Sequence, residues 1–171
     1  MPNHGFELLT NETATPAQRK VLDDTRAQFG GVPPAVARLA ISPEFMAAFQ
    51  TGIAAFDRTT LTPVEREIVI LVLARDIGCS VCTTMHTAKI GKLGEKAIAT
   101  ALGDRIALPD PKLAALARFT ESMLATRGDV DAASWEAFLD AGYTRTQALE
   151  ILVGFGTYTM STYANRLTGS H

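Results

Sequence analysis

Four side chains in this 171-residue sequence are of types, and at spacings, that can do thiol chemistry. Three lie in the segment Cys79-Ser80-Val81-Cys82-Thr83-Thr84-Met85-His86, and the fourth is Glu67. A C-x-x-C pair either cycles between dithiol and disulfide, ligates a metal, or is buried as two small apolar groups. Helical rotation is about 100° per residue, so on a helix starting near Cys79 the side chains of Cys82 and His86 (i, i+4) lie on one face. Cys79 (i, i+3 to Cys82) joins that face, within reach of a disulfide. A cysteine at a helix N-terminus feels the positive end of the dipole, which lowers its pKa. An imidazole one turn on can act as the base that draws the proton from Cys82.

The carboxylate has to arrive from the preceding helix. Thr62-Pro63-Val64-Glu65 reads as a capping box with proline at the first helical position, opening a helix predicted to run to about Ile77, where Gly78 breaks it. Two helices folded back at that glycine put Glu67 ~13.5 Å up the first from Asp76 and His86 ~10.5 Å along the second from Cys79, at 1.5 Å per residue. The two can meet across the hairpin, directly or through a water. Glu67 also shares a face with Val64, Leu71 and Ala74, an apolar stripe that should look into the core, and a carboxylate there needs a partner. Glu65 points roughly the opposite way and is accounted for as the capping-box residue.

Taken singly, His86 reads as an ordinary hydrogen-bonded histidine and Glu67 as a solvated charge; their joint arrangement lifts the functional reading. C-x-x-C-x-x-x-H supplies three zinc ligands where a structural site takes four. The remaining histidines, His4 and His171, lie near the ends of the sequence and there is no second C-x-x-C, so redox chemistry is the stronger expectation.

The rest of the sequence signals helix after helix. Thr15-Pro16-Ala17-Gln18 opens one to about Gln28, stopped by Gly30-Gly31, and Pro33-Pro34 begins a short one to about Ile41. Ser42-Pro43 caps the next, with Phe45, Phe49, Ile53 and Phe56 at near-helical spacing. Beyond the redox helix, which should end at Leu93 before Gly94, helices are predicted from Glu95 to Leu102 ending at Gly103, from Pro111 to Thr126, from Asp131 to Asp140, and from the capping box Thr144-Arg145-Thr146-Gln147 to Leu167. The fold class is all-α in a single domain over 1–171, with an N-terminal helical part (1–58) packed on a six-helix core (59–168) that carries the motif.

Composition narrows the function classes. Hydrophobic residues make up 47% and charged residues 20%, close to the globular average. A net charge of −2 with scattered Lys and Arg gives no case for nucleic acid or an anionic membrane surface. The longest apolar run, Ile68 to Ala74, falls far short of the ~20 residues a membrane span needs. The N-terminal residues lack the basic-then-apolar pattern of a secretory signal, so the expected location is cytoplasmic, where structural disulfides are rare and a C-x-x-C points to catalysis or metal binding.

Glu67, Cys79, Cys82 and His86 stand in the pattern E-x11-C-x2-C-x3-H, led by Leu61-Thr62-Pro63-Val64-Glu65-Arg66-Glu67. This resembles the alkylhydroperoxidase AhpD-like branch of the carboxymuconolactone decarboxylase superfamily, most strongly over residues 33–102. Ala148 to Gly169, with Tyr158-Thr159-Met160-Ser161-Thr162-Tyr163-Ala164-Asn165, looks like that family's last helix. The resemblance implies an all-helical homo-oligomer, a trimer or a multiple of it, that reduces hydroperoxides without haem, flavin or metal. It implies a Glu67–His86 proton relay, Cys82 as the thiol nearest the relay and Cys79 as the residue completing the disulfide. The best-studied branch has a second histidine where this sequence has Val81, which leaves the proton path and the reductant open. The decarboxylase branch lacks the cysteine pair, so lactone decarboxylation is not expected.

On this reading a thiolate attacks ROOH, becomes a sulfenic acid, condenses with the second cysteine, and an external dithiol resets the pair. The dipole favours Cys79 as attacker and the histidine favours Cys82; Cys82 is expected, because a base one turn away acts directly on its proton. A dithiol adaptor serving a partner peroxidase, and a non-catalytic helical oligomer with a structural or metal-binding cysteine pair, are the alternatives. Phe45, Phe49, Phe56, Met85 and the Phe155–Tyr163 helix offer apolar walls, although such stripes are more often core than pocket.

Overall fold

The computed structural model describes residues 3–104 and 108–170, and all regular structure among them is helical. His171, weighed above as a zinc ligand, lies outside the described residues. In chain order the helices are α1 (Pro16–Phe29), α2 (Pro34–Leu39), α3 (Pro43–Asp57), α4 (Pro63–Ile77), α5 (Ser80–Lys92), α6 (Lys96–Asp104), α7 (Pro111–Thr126), α8 (Ala132–Asp140) and α9 (Arg145–Leu167).

Local chemistry sets most of the boundaries. Thr15 with Gln18, Thr62 with Glu65, and Thr144 with Gln147 form reciprocal capping boxes. Ser42, Asp110 and Asp131 cap α3, α7 and α8 through their side chains. Each satisfies backbone N–H groups that a helix start leaves without a partner. Two short helices depart from the sequence reading. α2 stops at Leu39, and α6 begins at Lys96 and runs through Gly103 to Asp104. Gly94, at φ 90°, takes the turn between α5 and α6. Gly103 has no such role and is absorbed into its helix.

α4 is the central element, packed by α5, α7 and α9. From Ile68 to Ala74 every residue is buried. That is why this helix shows a continuous apolar run where a surface helix would show one stripe. α3 lies along α9, and its Phe56, Phe49 and Ile53 join the main core beside Tyr158. α1 and α2 close a smaller cluster of their own around Leu22, Ala14 and Ala40. Among the described residues no helix is long and apolar enough to cross a membrane.

The inner face of α9 carries Gly154, Tyr158, Thr162 and Asn165, spaced by three or four residues and buried. Close approach to α3 depends on the first of these. A Cβ at Gly154 would sit 2.7 Å from the Phe56 ring. Gly154→Ala gains up to about 1 kcal/mol of helix propensity but overpacks a full core at a cost of about 1–3 kcal/mol. The expected outcome is a melting temperature lower by a few degrees; an unchanged or raised value would show that α3 moves aside freely.

Candidate functional site

The turn from α4 to α5 is built from two residues. Gly78 takes the left-handed conformation at φ 76° that terminates α4, and the Cys79 N–H reaches back to the Ala74 carbonyl at 2.8 Å. This is the six-to-one closure of a glycine C-cap. Cys79 is at once the N-cap of α5, its sulfur accepting from the Cys82 N–H at 3.4 Å. The corner is held from outside by Arg166 of α9, whose Nη1 donates to the Gly78 carbonyl at 2.8 Å.

This corner brings together all four residues singled out in the sequence. Across the hairpin His86 Nδ1 and Glu67 Oε2 are 2.6 Å apart, a direct bond that needs no bridging water. The Cys79 and Cys82 sulfurs are 2.7 Å apart, both cysteines free. Glu67 (2% exposed), His86 (5%), Cys79 (0%) and Cys82 (2%) are all buried. Glu65 lies on another side of α4, its carboxylate accepting the Thr62 N–H at 2.7 Å as its capping role requires.

Three side chains that spacing did not single out complete the site. Lys89, one turn beyond His86 on α5, places Nζ 2.6 Å from Glu67 Oε1, so the carboxylate holds one partner on each oxygen. Its signal was available as the i, i+3 spacing to His86. Tyr158 of α9 meets the His86 ring edge-on, with centroids 5.3 Å apart. Asn165, also on α9, directs Nδ2 to the Cys82 sulfur at 3.4 Å and to the Cys79 sulfur at 3.9 Å. Of the apolar walls, Phe56 is core and Phe49 packs on it, whereas Met85 stands on the surface.

Burial raises the Glu67 carboxyl, but the hydrogen bond and charge of His86, then those of Lys89, outweigh it and hold the group below the usual carboxylate range. The two thiols are driven apart. The two sulfurs share a proton, and against the cost of burial this contact with Cys82, with the Cys82 and Val81 N–H groups and the Asn165 amide, brings Cys79 down to about 6. Cys82 is pushed up, first because Cys79 holds its proton, then by burial and by the charge on Cys79. The pair therefore loses one proton readily and keeps the other, as coupled sites do. Its charge rests on Cys79, where the dipole alone would put it, and not on Cys82, which the position of His86 favoured.

Among the described residues no three His, Cys, Asp or Glu side chains are gathered as metal ligands. His86 commits one ring nitrogen to Glu67. The arrangement can store two electrons in a sulfur–sulfur bond and move a proton between a thiol face and a carboxylate–imidazole couple.

The sequence profile of the carboxymuconolactone decarboxylase family matches residues 42–122, a span that holds Glu67, Cys79, Cys82 and His86. Among solved structures, the chain is similar to an alkylhydroperoxidase AhpD core, an uncharacterized peroxidase-related protein from Ralstonia eutropha JMP134. The TM-score is 0.80 at 20% identity, covering 94% of this chain and 87% of that one. A second, an uncharacterized peroxidase-related protein from Silicibacter sp. TM1040, gives a TM-score of 0.78 at 20% identity, with 96% and 91% covered. No curated protein matches the sequence.

Reactivity of the reduced pair should follow the Cys79 thiolate. Alkylation by iodoacetamide is expected to rise with pH through about 6 and to be level above it, with the label on Cys79. Cys82→Ser weakens the donor that holds the charge and should move that rise upward. A wild-type profile that climbs only near the ordinary cysteine value would remove the shared-proton picture.

Proposed function

We propose that the chain is an AhpD-like member of the carboxymuconolactone decarboxylase superfamily and a thiol peroxidase, a reading supported by the family profile over residues 42–122 and by the shared fold. On this reading it reduces hydroperoxides through a Cys79/Cys82 dithiol–disulfide cycle with a Glu67–His86 proton relay. The observation that carries the reading is the single constellation of two free cysteines sharing a proton and a buried carboxylate–imidazole pair on the adjoining helical turn.

The steps follow from where charge and protons sit. The Cys79 thiolate attacks the distal oxygen of ROOH; the S–O bond forms as the O–O bond breaks, and the sulfur gives up two electrons. The leaving alkoxide takes a proton, and the Glu67-held imidazole of His86, one turn beyond Cys82 on α5, is the relay that supplies it on this reading. The Cys82 sulfur, losing its own proton, then displaces hydroxide from the Cys79 sulfenic acid, and the hydroxide leaves as water. The sum is one thiolate, one thiol, one proton and ROOH giving a disulfide, ROH and water. An external dithiol returns two electrons by exchange.

Burial favours this order of events over the adaptor reading. Cys79 and Cys82, 0% and 2% exposed as residues, are easier for a small peroxide to reach than for the disulfide of a partner protein. The outer face of α9 carries Leu149, Leu152, Val153, Tyr163 and Leu167, all exposed. A face of that kind on a soluble chain supports assembly with further copies, a trimer or a multiple of it.

Anaerobic titration of the reduced protein with hydroperoxide, followed by mass analysis, tests the proposal. One equivalent should remove both thiols and leave a Cys79–Cys82 disulfide, and light scattering of the same sample should give a multiple of three chains. In Cys82→Ser a sulfenate should be trapped on Cys79. Sulfenate formed instead on Cys82 in the Cys79→Ser variant would reassign the attacking sulfur and leave the cycle standing. Thiols inert to peroxide, with rapid reduction of an oxidised partner peroxidase, would replace the enzyme by the adaptor.

A further inference from the structure

Asn165 on α9 lies 86 residues from Cys79 and 83 from Cys82 in the sequence, yet its amide stands over both sulfurs. It is buried at 6% exposure, and its Oδ1 has no hydrogen-bond partner. A buried amide carbonyl left unpaired is a cost to folding, so the side chain is not placed there to satisfy itself. Its polar contacts run through Nδ2 to the two cysteines. Neighbouring bonds fix the helix end that presents it: the Asn165 carbonyl accepts the Ser170 N–H at 2.7 Å, and Arg166 is tied to Gly78. The amide is therefore delivered to the thiol pair by backbone and flanking residues, with its nitrogen as the working end.

A thiolate in a buried site needs donors that remain in place while its charge moves. The Cys82 N–H reaches the Cys79 sulfur at 3.4 Å, and the proton shared between the two sulfurs disappears as a bridge once it leaves. Asn165 Nδ2 faces both sulfurs, nearer to Cys82, and keeps its protons throughout. We propose that Asn165 is a further catalytic residue, an amide clamp that holds the negative charge on whichever sulfur of the Cys79–Cys82 pair carries it. The direction in which the amide moves both thiols, downward, agrees with this. The clamp rests on the dithiol reading above, but not on peroxide being the oxidant.

Its test reads thiol ionisation and redox balance, so that it stands or falls separately from peroxidase activity. Reduced wild type, Asn165→Ala and Asn165→Asp are compared by the pH profile of iodoacetamide alkylation and by equilibration with glutathione and its disulfide. The other ionisable groups around the pair, Glu67 on α4, His86 and Lys89 on α5, and Tyr158 and Arg166 on α9, are retained in all three proteins. Asn165→Ala should shift the alkylation rise upward by about one pH unit, a tenfold loss of rate on the rising limb. Loss of the clamp destabilises the reduced pair, so the two electrons pass more readily to glutathione disulfide and the equilibrium moves toward the protein disulfide. Asn165→Asp keeps the shape but puts a carboxylate against the thiolate, and should shift both readouts further the same way. A profile and an equilibrium unchanged in either variant would overturn the clamp, and the near-isosteric Asn165→Asp decides the matter if Asn165→Ala does not fold. Shifts in both variants, with wild-type thiols inert to peroxide, would keep the clamp and discard the peroxidase.

Discussion

The site depends on a 2.6 Å contact between a buried carboxylate and a buried imidazole, Glu67 on α4 and His86 on α5. A carboxylate inside a core is tolerated only when its oxygens are met, and breaking such a pair from one side typically costs ~3–5 kcal/mol. Glu67 has His86 on one oxygen and Lys89 on the other. Satisfying it fixes how α5 lies on α4 and so fixes where the first turn of α5 begins. With that set, Cys79 falls at the N-cap and Cys82 one turn on, and the thiols are placed as a consequence of the carboxylate.

The same requirement explains why the corner is so tight. A longer connection would let α5 slide along α4 and lengthen the contact. The left-handed Gly78, with Cys79 serving as both the last link and the next cap, leaves little room for that slide. α9 then closes the corner from the far side with three contacts of different kinds. Tyr158 packs edge-on against the imidazole, Asn165 donates to the sulfurs, and Arg166 binds the Gly78 carbonyl. Small residues on the α3–α9 seam let the long helix come close enough to do this.

Much of this was legible in the sequence because it is local. Capping boxes at Thr15, Thr62 and Thr144 are decided within four residues, and the helices they open start where they should. The Glu67–His86 contact was legible for a similar reason: a hairpin with a one-glycine break makes axial distance a matter of counting residues. Asn165 was not legible, since 83 residues separate it from Cys82 and only tertiary packing joins them. The resting place of the charge was legible in part: the dipole at the start of α5 pointed to Cys79, while the position of His86 drew the expectation to Cys82. The periodicity of α3 showed that Phe49, Ile53 and Phe56 needed cover; it could not show that α9 and the main core supply it.

A double-mutant cycle on Glu67 and His86 addresses the relay as a unit. The rate constant for oxidation of the reduced protein by hydrogen peroxide would be measured by stopped flow for wild type, Glu67→Gln, His86→Gln and the double variant. Two members of one proton relay should each slow the reaction by ~10²–10⁴-fold, and the double variant should be about as slow as the slower single variant. Two independent losses that multiply in the double variant, or single variants as fast as wild type, would contradict the account.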